Sequence, residues 1–160
     1  MIPNKDIPAL MNAAYYGFNR ALPGGDFAPK VENGALVTHC NQFIQYVAKC
    51  LGYTNFDGMT ANEMVSYMRD PANGWIQPAD HAVAQDHANK GVLVIAGRAN
   101  PLGHGHVCLV VPGILEKSGN WCAAVPKCVN VGKDVFFGKL ISFAFNAEEK
   151  CDYFALAKMI

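Results

Sequence analysis

Apolar residues recur at helical spacing in two long stretches near the start of the chain. The stripe in residues 5–22 consists of Ile7, Leu10, Met11, Ala14, Tyr15, Phe18 and Leu22. The stripe in THCNQFIQYVAKCLG, residues 38–52, consists of Cys40, Phe43, Ile44, Val47, Ala48 and Leu51. Because positions three and four apart share one face of a helix, both stripes predict amphipathic helices.

Two shorter helices are predicted downstream. Thr60 and Glu63 have capping-box spacing at the start of TANEMVSYM, and this helix should end before Pro71. A further helix is predicted over residues 79–90, stopped by Gly91. The segment PGGDFAPKVENGAL, between the first two helices, is rich in proline and glycine and predicts a loop.

After Gly91 the pattern changes from helical to extended. VLVIAG and GHVCLVVPG are β-branched apolar runs separated by a short loop, which is typical of adjacent antiparallel strands. WCAAVPKCVNVG, KLISFAF and CDYFALAKM are further strand candidates. We therefore predict one α+β domain over residues 1–160, with N-terminal helices packed on an antiparallel sheet of about five strands.

Composition narrows the classes of function. The chain has 160 residues, 51% hydrophobic and 16% charged, so it can bury a sizeable core. The 13 basic and 13 acidic residues balance, and no basic patch indicates nucleic acid. No apolar run approaches the roughly 20 residues of a transmembrane helix. The start lacks a signal-peptide pattern, so we expect a mature fragment or a protein made in the cytosol and exported by another route.

Cys40 is the first candidate for chemistry. Its stripe places it at a helix N-terminus, on the face toward the sheet, where exposed N–H groups and the helix dipole should lower a thiol pKa. The competing interpretation is a small buried apolar side chain, because free cysteines are commonly buried. Cys50 lies roughly 80° away around the helix, at the other end of the dipole, and we interpret it as a packing residue.

A cysteine nucleophile needs a base. His106 opens an apolar strand, where a polar residue has no packing reason, and it can aim its imidazole at a helix tip packed across that strand. His104, in the preceding loop, is the rival, and either one has a plain interpretation as a surface-loop histidine. Asn130 lies between two valines in the next strand and is the candidate for orienting the imidazole. Its alternative is an ordinary polar residue at a strand end, and Asp134 and Asn120 are weaker candidates in turn-like segments.

The order of cysteine on a helix, histidine on a strand and amide on the next strand is that of papain-like amidases. THCNQFIQYVAKCLG, GHVCLVVPG and VNVG resemble the NlpC/P60 and CHAP group of cell-wall peptidases and amidases, loosely over residues 35–145. The CNQF form is closer to CHAP-like members. The resemblance implies a papain-like core with Cys40 as nucleophile, His106 as base and Asn130 as orienting residue.

The resemblance also implies the reaction. An amide bond of peptidoglycan or a muropeptide, within the stem peptide or at the sugar–peptide link, would be hydrolysed through a thioester with no cofactor. Such an enzyme acts in the periplasm or outside the cell, with the cytoplasm as the alternative. The backbone N–H of Cys40 is the natural first oxyanion donor. ENGALVTHC lacks the glutamine that papain-type enzymes place before the cysteine, which leaves His39, Asn41, His104 and Tyr15 as weak candidates for the second donor or for substrate contacts.

Three other functions stay open at this point. His104 and His106 form an HxH pair that would bind zinc together with Cys40, His39 or Cys108. A non-catalytic papain-like binding module fits the missing glutamine, and an acyl transferase would use the same triad. The six cysteines contain no CxxC pair, and Cys122 and Cys128 would pair across a hairpin in an oxidising compartment.

Overall fold

The computed structural model describes residues 6–146 and 150–158. Its α-helices are α1 (Ile7–Asn19), α2 (Cys40–Cys50), α3 (Ala61–Arg69) and α4 (His81–Asn89). Its strands are β1 (Lys30–Glu32), β2 (Ala35–Val37), β3 (Trp75–Ile76), β4 (Val94–Arg98), β5 (His106–Val110), β6 (Glu116–Ser118), β7 (Ala123–Val125), β8 (Lys127–Val131), β9 (Val135–Leu140) and β10 (Asp152–Leu156). Two short 3-10 helices cover Pro71–Asn73 and Ile141–Phe143.

The helix starts differ in how they are capped. Asp6 and Asp80 accept backbone N–H groups at the starts of α1 and α4, and Thr60 with Glu63 forms the predicted capping box of α3. Helix α2 is the exception, because its N-cap residue His39 makes no side-chain cap hydrogen bond. The first-turn N–H groups of α2 are therefore left to other partners, and Cys40 is the first residue of that turn.

The central sheet has six antiparallel strands in the order β3-β10-β4-β5-β8-β9. Side chains of β5 alternate between its two faces, as they must in a strand. Val107 and Leu109 belong to the apolar core shared with α1, α2 and α3, whereas Cys108 and Val110 belong to the core shared with α4. Helices thus cover both faces, and α2 packs against the centre of one of them.

The α+β class and the four predicted helices are confirmed within the described residues, and the sheet has six strands instead of about five. The predicted loop PGGDFAPKVENGAL was wrong in its second half, because β1 and β2 form a hairpin there. Asn33 and Gly34 both have positive φ, 51° and 78°, as the two-residue turn of a hairpin requires. KLISFAF was wrong as a strand beyond Leu140, since the N–H groups of Ala144 and Phe145 both return to the carbonyl of Ile141 and close a helical turn.

In the part of the chain that the structure describes, no helix is long and apolar enough to cross a membrane.

Candidate active site

The Cys40 thiol lies at the start of α2 against the start of β5. Its residue is 6% exposed, and the backbone N–H groups of Val107 and Asn41 hydrogen-bond the sulfur. Burial raises the pKa of the thiol, and these N–H groups offset only part of that effect. The expected lowering of the pKa by the helix tip was therefore wrong, because loss of water around the sulfur outweighs the helix N–H groups. The resting side chain is a protonated thiol.

His106 and Asn130 form the predicted pair. The distance between His106 Nε2 and Asn130 Oδ1 is 2.6 Å. Asn130 Nδ2 donates to the backbone carbonyl of Asp134 at 2.7 Å, which fixes the amide so that its oxygen faces the imidazole. Nε2 must then carry the ring proton, and the lone pair of the neutral imidazole lies on Nδ1. Asp134 contributes through its backbone and not through the carboxylate considered from the sequence.

The His106 ring is enclosed on two further sides. It lies 5.1 Å from the ring centroid of Phe145, and a Cβ added at Gly132 would be 3.0 Å from its Cε1 atom. Burial lowers the pKa of His106, with the hydrogen bond that Nε2–H donates to Asn130 Oδ1 opposing that effect and the charge of Arg98 adding to it. His106 is therefore neutral at neutral pH, in the form that accepts a proton.

The thiol and the imidazole approach the start of β5 from different sides. By strand alternation His106 lies with Cys108, on the face opposite α2, and its contact with Phe145 agrees with this. The expectation that the imidazole aims directly at the helix tip was wrong in this respect. No hydrogen bond among the described residues joins Cys40 to His106, although the sulfur contacts the N–H of Val107, the very next residue.

Two cavities lie on either side of the start of β5. The first, which we call the thiol cavity, has a volume of about 430 Å³ and is lined by residues 35–38, 40–41, 60–62 and 103–105. The second, which we call the imidazole cavity, has a volume of about 370 Å³ and is lined by Arg98, His106, Asn130 and residues 133–134 and 143–146. Gly105 lines the thiol cavity and His106 lines the imidazole cavity, so the backbone at the start of β5 separates the two.

The weaker candidates for the second oxyanion donor or for substrate contacts lie in different parts of the structure. His104 lines the thiol cavity beside Cys40. Asn41 also lines it, but its side-chain amide donates to the carbonyl of Met59 at 3.0 Å and helps to hold α2 in place. His39 is buried beside Arg20 in a different groove, and Tyr15 is exposed on α1. Neither of these two lines the thiol cavity.

The remaining cysteine predictions have mixed outcomes. Cys50 is exposed at the last residue of α2, so its interpretation as a packing residue was wrong. Cys122 and Cys128 are both free thiols, the first exposed and the second buried. Cys128 instead lies in the same buried cluster as Cys108 of β5, and the two thiols interact.

Residues 6–146 and 150–158 contain no set of side chains that would support the zinc-site alternative. No three His, Cys, Asp or Glu side chains there come together as metal ligands would. His104 and His106 fall into different cavities, because the first lies in the loop before the strand.

The protein matches no known family model and no curated protein.

Sequence reasoning missed the residues that surround the pair of His106 and Asn130. Phe145 and the Asp134 carbonyl carry no local signal, since only the folded sheet brings them to His106. Gly132 had one, as the glycine that ends VNVG, and its lack of a side chain makes room for the imidazole.

Proposed function

We propose that the protein is a papain-like cysteine amidase that hydrolyses amide bonds of peptidoglycan, in the stem peptide or at the sugar–peptide link. The observation that carries the proposal is the hydrogen bond between His106 and Asn130. It leaves Nδ1 as the base at the start of β5, where the Cys40 thiol also makes its backbone contact. The peptidoglycan substrate, and with it a periplasmic or extracellular site of action, is supported by the resemblance of the three sequence segments alone.

The reaction begins from a neutral pair. As the Cys40 sulfur attacks the amide carbon, its proton passes to His106 Nδ1, and a sulfur–carbon bond forms. Because the two groups make no hydrogen bond in the free protein, the proposal requires substrate binding to bring the Cys40 sulfur and His106 Nδ1 within hydrogen-bond distance. The imidazolium then protonates the leaving amine as the carbon–nitrogen bond breaks. Water, deprotonated by Nδ1, hydrolyses the thioester and regenerates the thiol.

The oxyanion is stabilised by the start of α2. The backbone N–H of Cys40 is the first of helix α2, where N–H groups have no partner within the helix, and it lies against the Cys40 sulfur, so it is the proposed first donor to the oxyanion. Asn130 stabilises the imidazolium by accepting its Nε2–H throughout the cycle, and thus acts as a positioning residue.

The test is digestion of purified peptidoglycan followed by mass spectrometry of the soluble fragments. Wild-type protein should release fragments cleaved at one type of amide bond, and Cys40→Ala should release none. Cys50→Ala is the matched control, because Cys50 ends the same helix and is exposed. Full activity of Cys40→Ala, or no cleavage by the wild-type protein, would contradict the proposal.

A further inference from the structure

The hairpin of β1 and β2 leads directly into the nucleophile. Strand β2 ends at Val37, and only Thr38 and His39 separate it from Cys40. Strand β1 is the only partner of β2 within the described residues, so one edge of β2 is unpaired. Residues 35–37 line the thiol cavity together with Cys40, whereas no residue of β1 does, so β2 is the strand of the hairpin on the cavity side.

The register of the hairpin shows which backbone groups are exposed at that edge. Glu32 pairs with Ala35 next to the turn, Val31 pairs with Leu36, and Lys30 pairs with Val37. Beside a two-residue turn the first pair exchanges both hydrogen bonds, and such pairs alternate with pairs that exchange none. Leu36 therefore directs its N–H and its carbonyl away from β1, and Val31 does the same on the opposite, outer edge.

The chemistry of the thiol cavity narrows what can pair there. Its lining contains no lysine, arginine, aspartate or glutamate. Its far wall is a loop of residues 103–105, held by the Asn62 side chain, which donates to the carbonyls of Gly103 and Asn100. Leu36 belongs to the lining and is 50% exposed, so an apolar side chain borders the cavity.

We propose that the open edge of β2 binds an extended, uncharged peptide segment of the substrate next to the amide that Cys40 attacks. An unpaired strand edge binds peptides through main-chain hydrogen bonds, and here the N–H and carbonyl of Leu36 supply them. The proposal rests on the proposed function, because that function makes Cys40 the attacking atom. It adds that the substrate is recognised at this cavity as a peptide backbone and not through charged groups.

The first test does not require turnover. Cys40→Ala protein is titrated with N-acetyl-Ala-Ala-Ala-amide, and backbone amide hydrogen exchange is followed by NMR. The Leu36 amide should exchange about tenfold more slowly at saturation because it gains a hydrogen bond, while the Val31 amide keeps its rate. Unchanged exchange at Leu36, or equal slowing at both residues, overturns the proposal. The same titration is repeated with N-acetyl-Glu-Glu-Glu-amide and N-acetyl-Lys-Lys-Lys-amide. Equal slowing of exchange at Leu36 by either charged peptide overturns the restriction to uncharged segments.

The second test uses a pair of matched variants. Leu36→Pro removes the N–H that faces the cavity, and Val31→Pro removes the equivalent N–H on the outer edge, where neither is needed within the hairpin. Leu36→Pro should lower kcat/KM on muropeptides about tenfold relative to Val31→Pro. Equal values in two folded variants overturn the proposal. If the wild-type protein cleaves no peptidoglycan, the proposed function fails, and the exchange experiment still decides whether β2 binds peptide.

Discussion

The two cavities at the start of β5 are similar in size and opposite in chemistry. The thiol cavity contains no acidic or basic side chain other than His104, whereas the imidazole cavity contains Arg98, Lys133 and Asp134. The buried Cys40 thiol stays protonated, because burial raises its pKa. In the proposed reaction its proton passes to His106, which lies in the neighbouring cavity. The two proposals together therefore place peptide binding in the thiol cavity and the proton-accepting imidazole in the imidazole cavity.

Each cavity also depends on one asparagine, and the two are used differently. Asn62 bonds only to backbone, through Asn100 and Gly103, and fixes the wall of the thiol cavity. Asn130 bonds to backbone with its nitrogen and keeps its oxygen for the ring of His106. The same residue type is structural in one cavity and orients a titratable group in the other.

The largest difference between the two cavities should come from replacing the histidine of each one by alanine. His106→Ala removes the proposed base and should lower kcat/KM on muropeptides by about 10²–10⁴-fold, the usual contribution of general base catalysis. His104→Ala removes the histidine of the thiol cavity and should lose far less activity. Steady-state rates of fragment release measure both. A greater loss in His104→Ala would reverse the assignment and place the base in the thiol cavity.

Much of this arrangement follows from local sequence. The stripe of Phe43, Ile44 and Val47 predicts the buried face of α2, and the pairing of His106 with Asn130 follows from alternation along neighbouring strands. The hairpin of β1 and β2 had its signal in Asn33-Gly34, but its strands have only three residues each, which is too short for a periodic pattern.

The remainder depends on tertiary packing. The sign of the pKa change at Cys40 is set by burial against helix N–H groups, and burial is a property of the assembled core. The face on which His106 lies depends on which residue of the strand is first in register with β4, where it pairs with Arg98. A shift of one residue would turn the imidazole toward α2, so the sequence pattern alone does not decide the side.

An intermediate effect is expected from crowding the imidazole. Gly132→Ala places a methyl group 3.0 Å from His106 Cε1, so the ring must move, and kcat should fall about ten- to hundredfold. Gly119→Ala is the control, since a Cβ there meets no atom within 4 Å. Thermal unfolding of both variants should stay close to that of the wild type. Unchanged kcat in Gly132→Ala would show that the position of the ring does not limit the reaction.

The smallest effect, and the sharpest contrast between the two asparagines, is a shift in pH dependence. Burial keeps the pKa of His106 below its ordinary value of about 6.5, so wild-type activity should fall with acidity only below that pH. Asn130→Asp places a carboxylate beside Nε2, which favours the imidazolium and raises that pKa. The base is then protonated at higher pH, and the acid limb of kcat/KM moves upward.

Asn62→Asp introduces the same charge in the thiol cavity. It should leave the acid limb in place and instead lower the free energy of unfolding by about 1–3 kcal/mol, because two backbone carbonyls lose their donor. Two measurements separate these outcomes. One is kcat/KM as a function of pH, from about 4 to about 8, a range that brackets the histidine pKa. The other is thermal unfolding. If the acid limb moved upward as far in Asn62→Asp as in Asn130→Asp, a charge in either cavity would change the pKa of the base. The thiol cavity and the imidazole cavity would then not be electrostatically separate.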